Sequence, residues 1–546
     1  MSRSRRGDRL TVALLAWLAL WPLVVTLWAS IDSEHGSFAT FAEFAHRPGE
    51  WTALGRSLLV AFASVALAAA IGVPLAFLFD RAEFPGRRAL AQLVALPVVL
   101  PPLVGVIAFL YLWGESGVGT RLVARALGLG ASPWRLDGLG AILLVHAYSM
   151  YVYFYLFTRA ALARFDGALL EAAASLGAGP VRRFRQVVVP AMRPALAGAA
   201  LLTFLTALGS FSAPYIFGGS YRVMTTQILA SKQNGETDLA EVETVVLTLV
   251  ALAALVATRG LERGGGAARR RGTAPPRRRF AAPLVRATIG ALGWALALLL
   301  LAPHLTLVVL SLVPRGSWTR ELLPPQLSLV NYRALFGSAE ALRPVANSLV
   351  LATLATVAAL VLGFAAARTA RRGGGLGRAA EFLMGIPWAV PATAFAVALA
   401  TTHSVAAPWA GRFLLVGTVA ILPLAYWARA LPATGRAALA GLGQLDPGLE
   451  EAAASLGAGP WRRLVRVTLP LLRPALVAGA LLAFLGAFGD FVASIVLYTF
   501  ETRPIAIEIL ARLRLQETGI AAAYGVLLTL VSAAVFLVGA REESVA

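Results

Sequence analysis

Cysteine is absent from the 546 residues, so neither a disulfide nor a thiolate metal site can contribute to the fold. Lysine occurs once, as Lys232, among 48 basic residues. A phosphate-cradling loop ending in Gly-Lys-Ser/Thr is therefore excluded, because Lys232 follows Ser231 rather than a glycine. No Gly-x-Ser-x-Gly elbow occurs, and His146 and His304 have no second ligand at metal-binding spacing, which leaves core or interfacial packing as their reading. Charge is scarce too, at 14% of residues. In its place the chain is 58% hydrophobic, with a mean hydropathy of +0.74. No soluble domain of this size hides so much apolar surface, so the expected class is an all-α polytopic membrane protein. The net charge of +20 would suggest nucleic acid in a soluble domain. Arginines flanking membrane helices produce the same total, so membrane lipid is the expected neighbour and nucleic acid is not.

A helix needs about 20 apolar residues to cross a hydrocarbon core of roughly 30 Å. Twelve such segments are expected, six near 10–31, 57–79, 90–113, 139–158, 194–217 and 243–258. Six more lie near 287–313, 346–367, 380–401, 413–431, 474–498 and 521–540. The first follows Ser-Arg-Ser-Arg-Arg but is too long for a signal-peptide core, so it reads as an uncleaved helix. With both termini in the cytoplasm, 33 Lys/Arg fall on internal segments and 15 on external ones, as the positive-inside rule requires.

The chain repeats itself. Glu171-Ala-Ala-Ala-Ser-Leu-Gly-Ala-Gly-Pro180 recurs unchanged as Glu451 to Pro460, 280 positions later. Arg56-Ser-Leu58 answers Asn347-Ser-Leu349, and Pro97-Val-Val-Leu-Pro101 answers Pro387-Trp-Ala-Val-Pro391, at offsets of 291 and 290. The first half therefore holds about ten extra residues, most simply in the external loop 114–138. Residues 263–282 are rich in Gly, Pro and Arg and read as a flexible cytoplasmic linker. It would join a six-helix module at 1–262 to a second at 283–546, two parallel copies in the same orientation.

Both decapeptides face the cytoplasm in this topology. Asp446-Pro447 is a strong helix start and Asp166-Gly167 a weaker one, and Gly457, Gly459 and Pro460 end the helix. The product is a short helix with a small, smooth surface, present twice while the sequence around it has diverged. Glu-Ala-Ala, three residues, Gly, nine residues, an aliphatic, one residue, then aliphatic-Pro is similar to the loop signature of binding-protein-dependent ABC importer permeases. The first copy fits as Glu171, Ala172, Ala173, Gly177, Val187 and Val189-Pro190. The second fits as Glu451, Ala452, Ala453, Gly457, Val467 and Leu469-Pro470. Valine at 187, 189 and 467 stands where Ile or Leu is more usual.

This resemblance implies a coupling helix in each half, docking two cytoplasmic ABC ATPase subunits that use ATP and Mg. It also implies a periplasmic or lipid-tethered substrate-binding protein, a bacterial cytoplasmic (inner) membrane location, and no catalysis or cofactor in this chain. Within the spans, Pro97, Pro101, Pro387 and Pro391 suggest kinked helices that could line a gate. Asp490 with Phe491 is an intramembrane carboxylate answered by Ser210 with Phe211, for which a gate role and a structural hydrogen bond are both open. The stretches 209–219 and 490–498 look most like ferric-iron permeases, while thiamine, aminoethylphosphonate and polyamine systems share the architecture. An ion-coupled secondary transporter would predict intramembrane charge pairs and no matched docking loops.

Overall fold

A computed structural model describes residues 2–33, 36–95, 97, 101–263, 278–279, 282–316, 324–406, 408 and 412–545. The linker expected at 263–282 lies almost entirely outside these residues. Among the described residues, extended pairing is confined to two ladders of two residues per strand: Asp32–Ser33 with Gly36–Ser37, and Ala82–Glu83 with Arg278–Arg279. Everything else regular is helical.

The first half contributes α1 (Arg5–Ile31), α2 (Pro48–Arg81), α3 (Pro102–Trp113) and α4 (Gly138–Ala163). It continues with α5 (Ala168–Ser175), α6 (Pro180–Leu208), α7 (Met224–Gln233) and α8 (Thr237–Arg263). The second half runs from α9 (Pro283–Ser311) and α10 (Ala339–Arg372) through α11 (Gly374–Ala389) and α12 (Ala392–Thr402) to α13 (Ile421–Gln444). It ends with α14 (Pro447–Ser455), α15 (Pro460–Phe488), α16 (Ile505–Arg514) and α17 (Thr518–Val545).

Among the described residues ten helices are long and apolar enough to cross a membrane, or eleven if α11 and α12 count as one bent span. The remaining expected span is α13, which starts at Ile421 rather than near 413 and carries Arg429 and Arg436. Four of the expected spans need correcting. The segment 90–113 is not one helix: a short helix ends at Leu93, and α3 begins at Pro102 behind the N-cap Pro101. The segment 380–401 likewise bends by 109° between α11 and α12, with Pro391 as the N-cap. Proline has no N–H and disfavours a helical residue before it, so Pro391 stops α11 and starts α12, and Pro101 sets the start of α3. The expected spans 194–217 and 474–498 are broken as well, after Leu208 and Phe488, and resume as the short helices Ser212–Phe217 and Val492–Leu497.

Tight pairing of α2 with α4, and of α10 with α13, forms the body of each module. Small residues permit the approach. A Cβ at Gly72 would strike the Tyr151 backbone, and one at Gly363 would lie 2.5 Å from Thr434 Oγ1. Thr434 then donates to the Ala359 carbonyl at 2.8 Å, a bond between helices where lipid offers none.

The modules are interlocked by their first helices. α1 lies against α10, α11 and α12 of the other module as well as α8 of its own, while α9 lies against α3 and the helix Arg87–Leu93. Trp17 meets His403 edge-on at 6.1 Å, and Tyr148 donates to the Leu300 carbonyl at 2.6 Å.

Gly72→Val and Gly363→Val are expected to destabilise the protein by roughly 1–3 kcal/mol each through overpacking. Thermal unfolding in detergent micelles should show both transitions lowered, with Gly55→Val, where open space surrounds the site, as the unaffected control.

Candidate functional site

The repeated decapeptide folds identically in both places. Asp446 Oδ1 accepts the Gly448 N–H at 2.9 Å and caps α14; Asp166 Oδ1 accepts the Ala168 N–H at 3.1 Å before α5. At the far end Gly177 and Gly457 take φ of 78° and 80°. The Ala178 and Ala458 N–H groups reach back to the Ala173 and Ala453 carbonyls, and Gly177 and Gly457 to Ala174 and Ala454. These are paired Schellman caps, which is why glycine stands at that position of the motif. Glu171, Ala172, Glu451 and Ala452 are exposed, and Ala173 and Ala453 are half-buried.

The surface is not merely small and smooth. Leu176 and Leu456, one residue before each capping glycine, are 88% and 89% exposed, and Val181 and Trp461 are 72% and 75% exposed. The motif reading passed over these residues. Their signal was present in the sequence, as large apolar residues beside a glycine that throws the chain outward.

Pro190 and Pro470 lie near the start of the membrane-embedded part of α6 and α15, directly after π-helical turns at Phe184–Val188 and Leu464–Thr468. A proline cannot donate to the carbonyl four residues back. The ladder before it slips to the wider spacing, so the motif proline accounts for the π turn.

At the centre of the bundle the other candidates meet. Gly209 faces Pro391 of the opposite module, and Gly489 faces Pro101; a Cβ on either would lie 3.5 Å and 2.9 Å from those rings. Phe211 and Phe491, both fully buried, approach to 5.8 Å between ring centroids. Tyr215 stacks on Phe211 at 5.1 Å and stands edge-on to Phe491 at 6.1 Å. Arg514 of α16 reaches across to the Tyr215 hydroxyl and covers its ring. Pro97 and Pro387 are buried but make no part of this cluster, Pro387 sitting inside α11.

A polar link stands behind each half of the aromatic cluster. His146 Nε2 lies 2.8 Å from Ser210 Oγ, and Nδ1 lies 2.8 Å from Ser64 Oγ. Ser64 already donates to the Val60 carbonyl, so it accepts from Nδ1–H, and Ser210 donates to Nε2. His146 is thus a connector that spacing arguments classed as packing. In the second half Asp490 Oδ1 accepts the Ser494 N–H at 3.0 Å and its hydroxyl at 3.2 Å, and Ser494 Oγ is 2.6 Å from the Tyr426 hydroxyl. Arg429, inside the span expected at 413–431 and not singled out from the sequence, faces Asp490 electrostatically. Its Nη1 is buried without a hydrogen-bond partner among the described residues. The structural hydrogen bond weighed for Asp490 is therefore present. Among the described residues no group of three or more His, Cys, Asp or Glu is placed to hold a metal.

A profile of the family described as binding-protein-dependent transport system inner membrane component matches the chain twice, at residues 68–261 and 359–541. A probable ABC transporter permease protein, y4fN, of Sinorhizobium fredii is 29% identical over 93% of this chain and 92% of its own length. The putative ferric transport system permease protein FbpB 1 of Haemophilus influenzae is 29% identical over 75% of this chain and 64% of its own. The molybdenum transport system permease protein ModB of Mycobacterium tuberculosis is 34% identical over 38% of this chain and 78% of its own.

Asp490→Ala should cost about 3 kcal/mol, since it removes an acceptor from Ser494 and leaves the Arg429 charge buried and unanswered. Asp490→Asn keeps the acceptor and should cost less. Thermal unfolding in lipid nanodiscs ranks the two, and equal losses would contradict the capping role.

Proposed function

Because the chain belongs to the family of binding-protein-dependent transport system inner membrane components, we propose that it is the fused transmembrane permease of an ATP-driven importer. Modules 1–262 and 283–546, joined by the cytoplasmic linker 263–282, together form one translocation pathway across the inner membrane. α5 and α14 act as cytoplasmic coupling helices, each docking one ATPase subunit that hydrolyses ATP with Mg. A periplasmic or lipid-tethered binding protein delivers substrate at the opposite face. Both termini are cytoplasmic.

The observation that carries this reading is the pair of exposed leucines, Leu176 and Leu456, on identically capped helices. An apolar side chain almost 90% exposed loses free energy to water and gains it in a partner's groove. Two of them on equivalent helices call for two equivalent partners. The energy source lies outside the chain, whose only lysine has no phosphate-loop context. Gating falls to the central cluster: Phe211 and Phe491 close the path, and Pro101, Pro391, Ser210 and Asp490 hold the broken helix ends around them. ATP-driven closure of the ATPase pair would shift the population between states in which this cluster is closed and open.

Ferric iron is the substrate favoured here, supported by the character of segments 209–219 and 490–498 and by the Haemophilus relative. Molybdenum enters as a competitor through the mycobacterial relative, a substrate the sequence reading had not weighed.

Leu176→Asp combined with Leu456→Asp should reduce ATPase co-purification at least about tenfold, because each docking knob is worth more than 1.4 kcal/mol. Glu171→Arg with Glu451→Arg should abolish uptake with the fold intact. ATPase retained by the leucine double variant, or uptake retained by the arginine one, would sink the proposal. Uptake of radiolabelled ferric iron against molybdate in membrane vesicles decides the substrate.

A further inference from the structure

The two docking helices share ten identical residues but are attached to the membrane bundle by different chemistry. In the first half Leu170 packs on Leu162, Phe165, Val188 and Met192, an entirely apolar seat. Phe77 meets Phe184 edge-on at 5.6 Å beside it. In the second half Glu450 takes the place of Leu170, and Thr468 that of Val188, each 280 positions on. Thr468 is buried, closes the π turn of α15, and donates to Glu450 Oε1 at 2.7 Å.

Behind Glu450 stands a line of charge with no first-half equivalent. Arg368, at the end of α10, is within electrostatic reach of Glu450, Asp8 and Arg463. Its first-half counterpart, 291 positions earlier, is Phe77. Arg371 donates to the Leu445 carbonyl at the root of α14. Asp8, buried on α1, accepts from Arg372 Nη1 at 2.5 Å and from the Thr369 hydroxyl at 3.0 Å. Arg81, the counterpart of Arg372, pairs with its neighbour Asp80, at 3.4 Å.

We propose that Glu450 is a positioning residue: its bond with Thr468 fastens the second docking helix to α15, while Arg371 at the root of that helix and Asp8 on α1 tie it through α10 into one body, whereas among the described residues the first docking helix sits in an apolar seat. The two ATPase inputs are therefore unequal. Motion at α14 passes directly into the gate-bearing α15 and, through Asp8, into the first module's leading helix. Motion at α5 passes through a seat that can slide. The functional meaning of this asymmetry rests on the docking reading above; the asymmetry itself does not.

The absence of cysteine makes the test direct, because spin labels can be placed on the full chain at introduced cysteines. One pair at Ser455 and Leu482 spans α14 to the far end of α15, and its equivalent at Ser175 and Leu202 spans α5 to α6. Distances are measured by pulsed electron resonance in lipid nanodiscs. The second-half distribution should be the narrower of the two, and should widen roughly twofold in Glu450→Gln and in Asp8→Asn, with the first-half pair unmoved. Glu450→Leu with Thr468→Val reproduces the first-half seat, so the fold is kept and the second-half width should rise to match the first. With co-purified ATPase, Glu450→Gln should retain binding but lose most of the ATP-induced shift in the Ser455–Leu482 distance. Unchanged second-half widths in the variants, or equal widening in both halves, would overturn the brace. Failure of the wild-type chain to bind ATPase would overturn the docking reading and leave the distance comparison standing.

Discussion

A helix that stops inside a bilayer exposes amides and carbonyls that lipid cannot satisfy, so it can stop only where protein covers the ends. Four breaks of this kind occur here, before Pro102, after Leu208, before Ala392 and after Phe488. Each module covers the breaks of the other. The Gly209 end of α6 is sealed by Pro391, and the Gly489 end of α15 by Pro101. The proline that caps the start of one helix is the lid for the interrupted helix across the interface. The rest of the centre follows from that exchange, since Phe211 and Phe491 begin the short helices beyond the breaks and can go only toward each other.

Backbone symmetry is kept while side-chain chemistry departs from it. Ser210 with His146 answers Asp490 with Ser494 and Tyr426. On the helices between the broken spans and the last ones, Glu508 is held by Arg503 at 2.8 Å and Arg512 at 2.6 Å. The matching position in α7 is Gln227, which donates to buried Glu50, while Ser231 donates to buried Glu243. Apolar packing sets the architecture and is degenerate enough to survive drift in both halves. Polar contacts are directional, so once duplicated they can diverge into different jobs.

The helical membrane class, the duplication and the two short repeated helices with their caps were readable from the chain because each rests on local rules: hydrophobic span length, N-cap acid, C′ glycine. Helix continuity was not. The apolar runs through Pro97–Pro101 and through Ser210 read as single spans, because hydropathy averages over a break that covers only a few residues. His146 was read as packing and Arg429 was passed over for a different reason: their meaning comes from partners 64 and 61 residues away, Ser210 and Asp490, which no spacing rule connects. Leu176 and Leu456 were hidden by the opposite error, since a leucine in an apolar chain draws no notice until its exposure is known.

The exchange of first helices carries a consequence for biosynthesis. α1 is synthesised before the second module, and three of the surfaces it rests on, α10 to α12, begin more than 300 residues later. At roughly 5–20 residues per second of translation, α1 spends about 15–60 s in the membrane without these second-module neighbours. Its polar side chains, Asp8 among them, must be tolerated there by the insertion machinery or by lipid headgroups until Arg372 arrives. Native assembly is thus ordered by a wait at the N-terminus and completed by the second module, which makes the half-synthesised chain the vulnerable species for quality control.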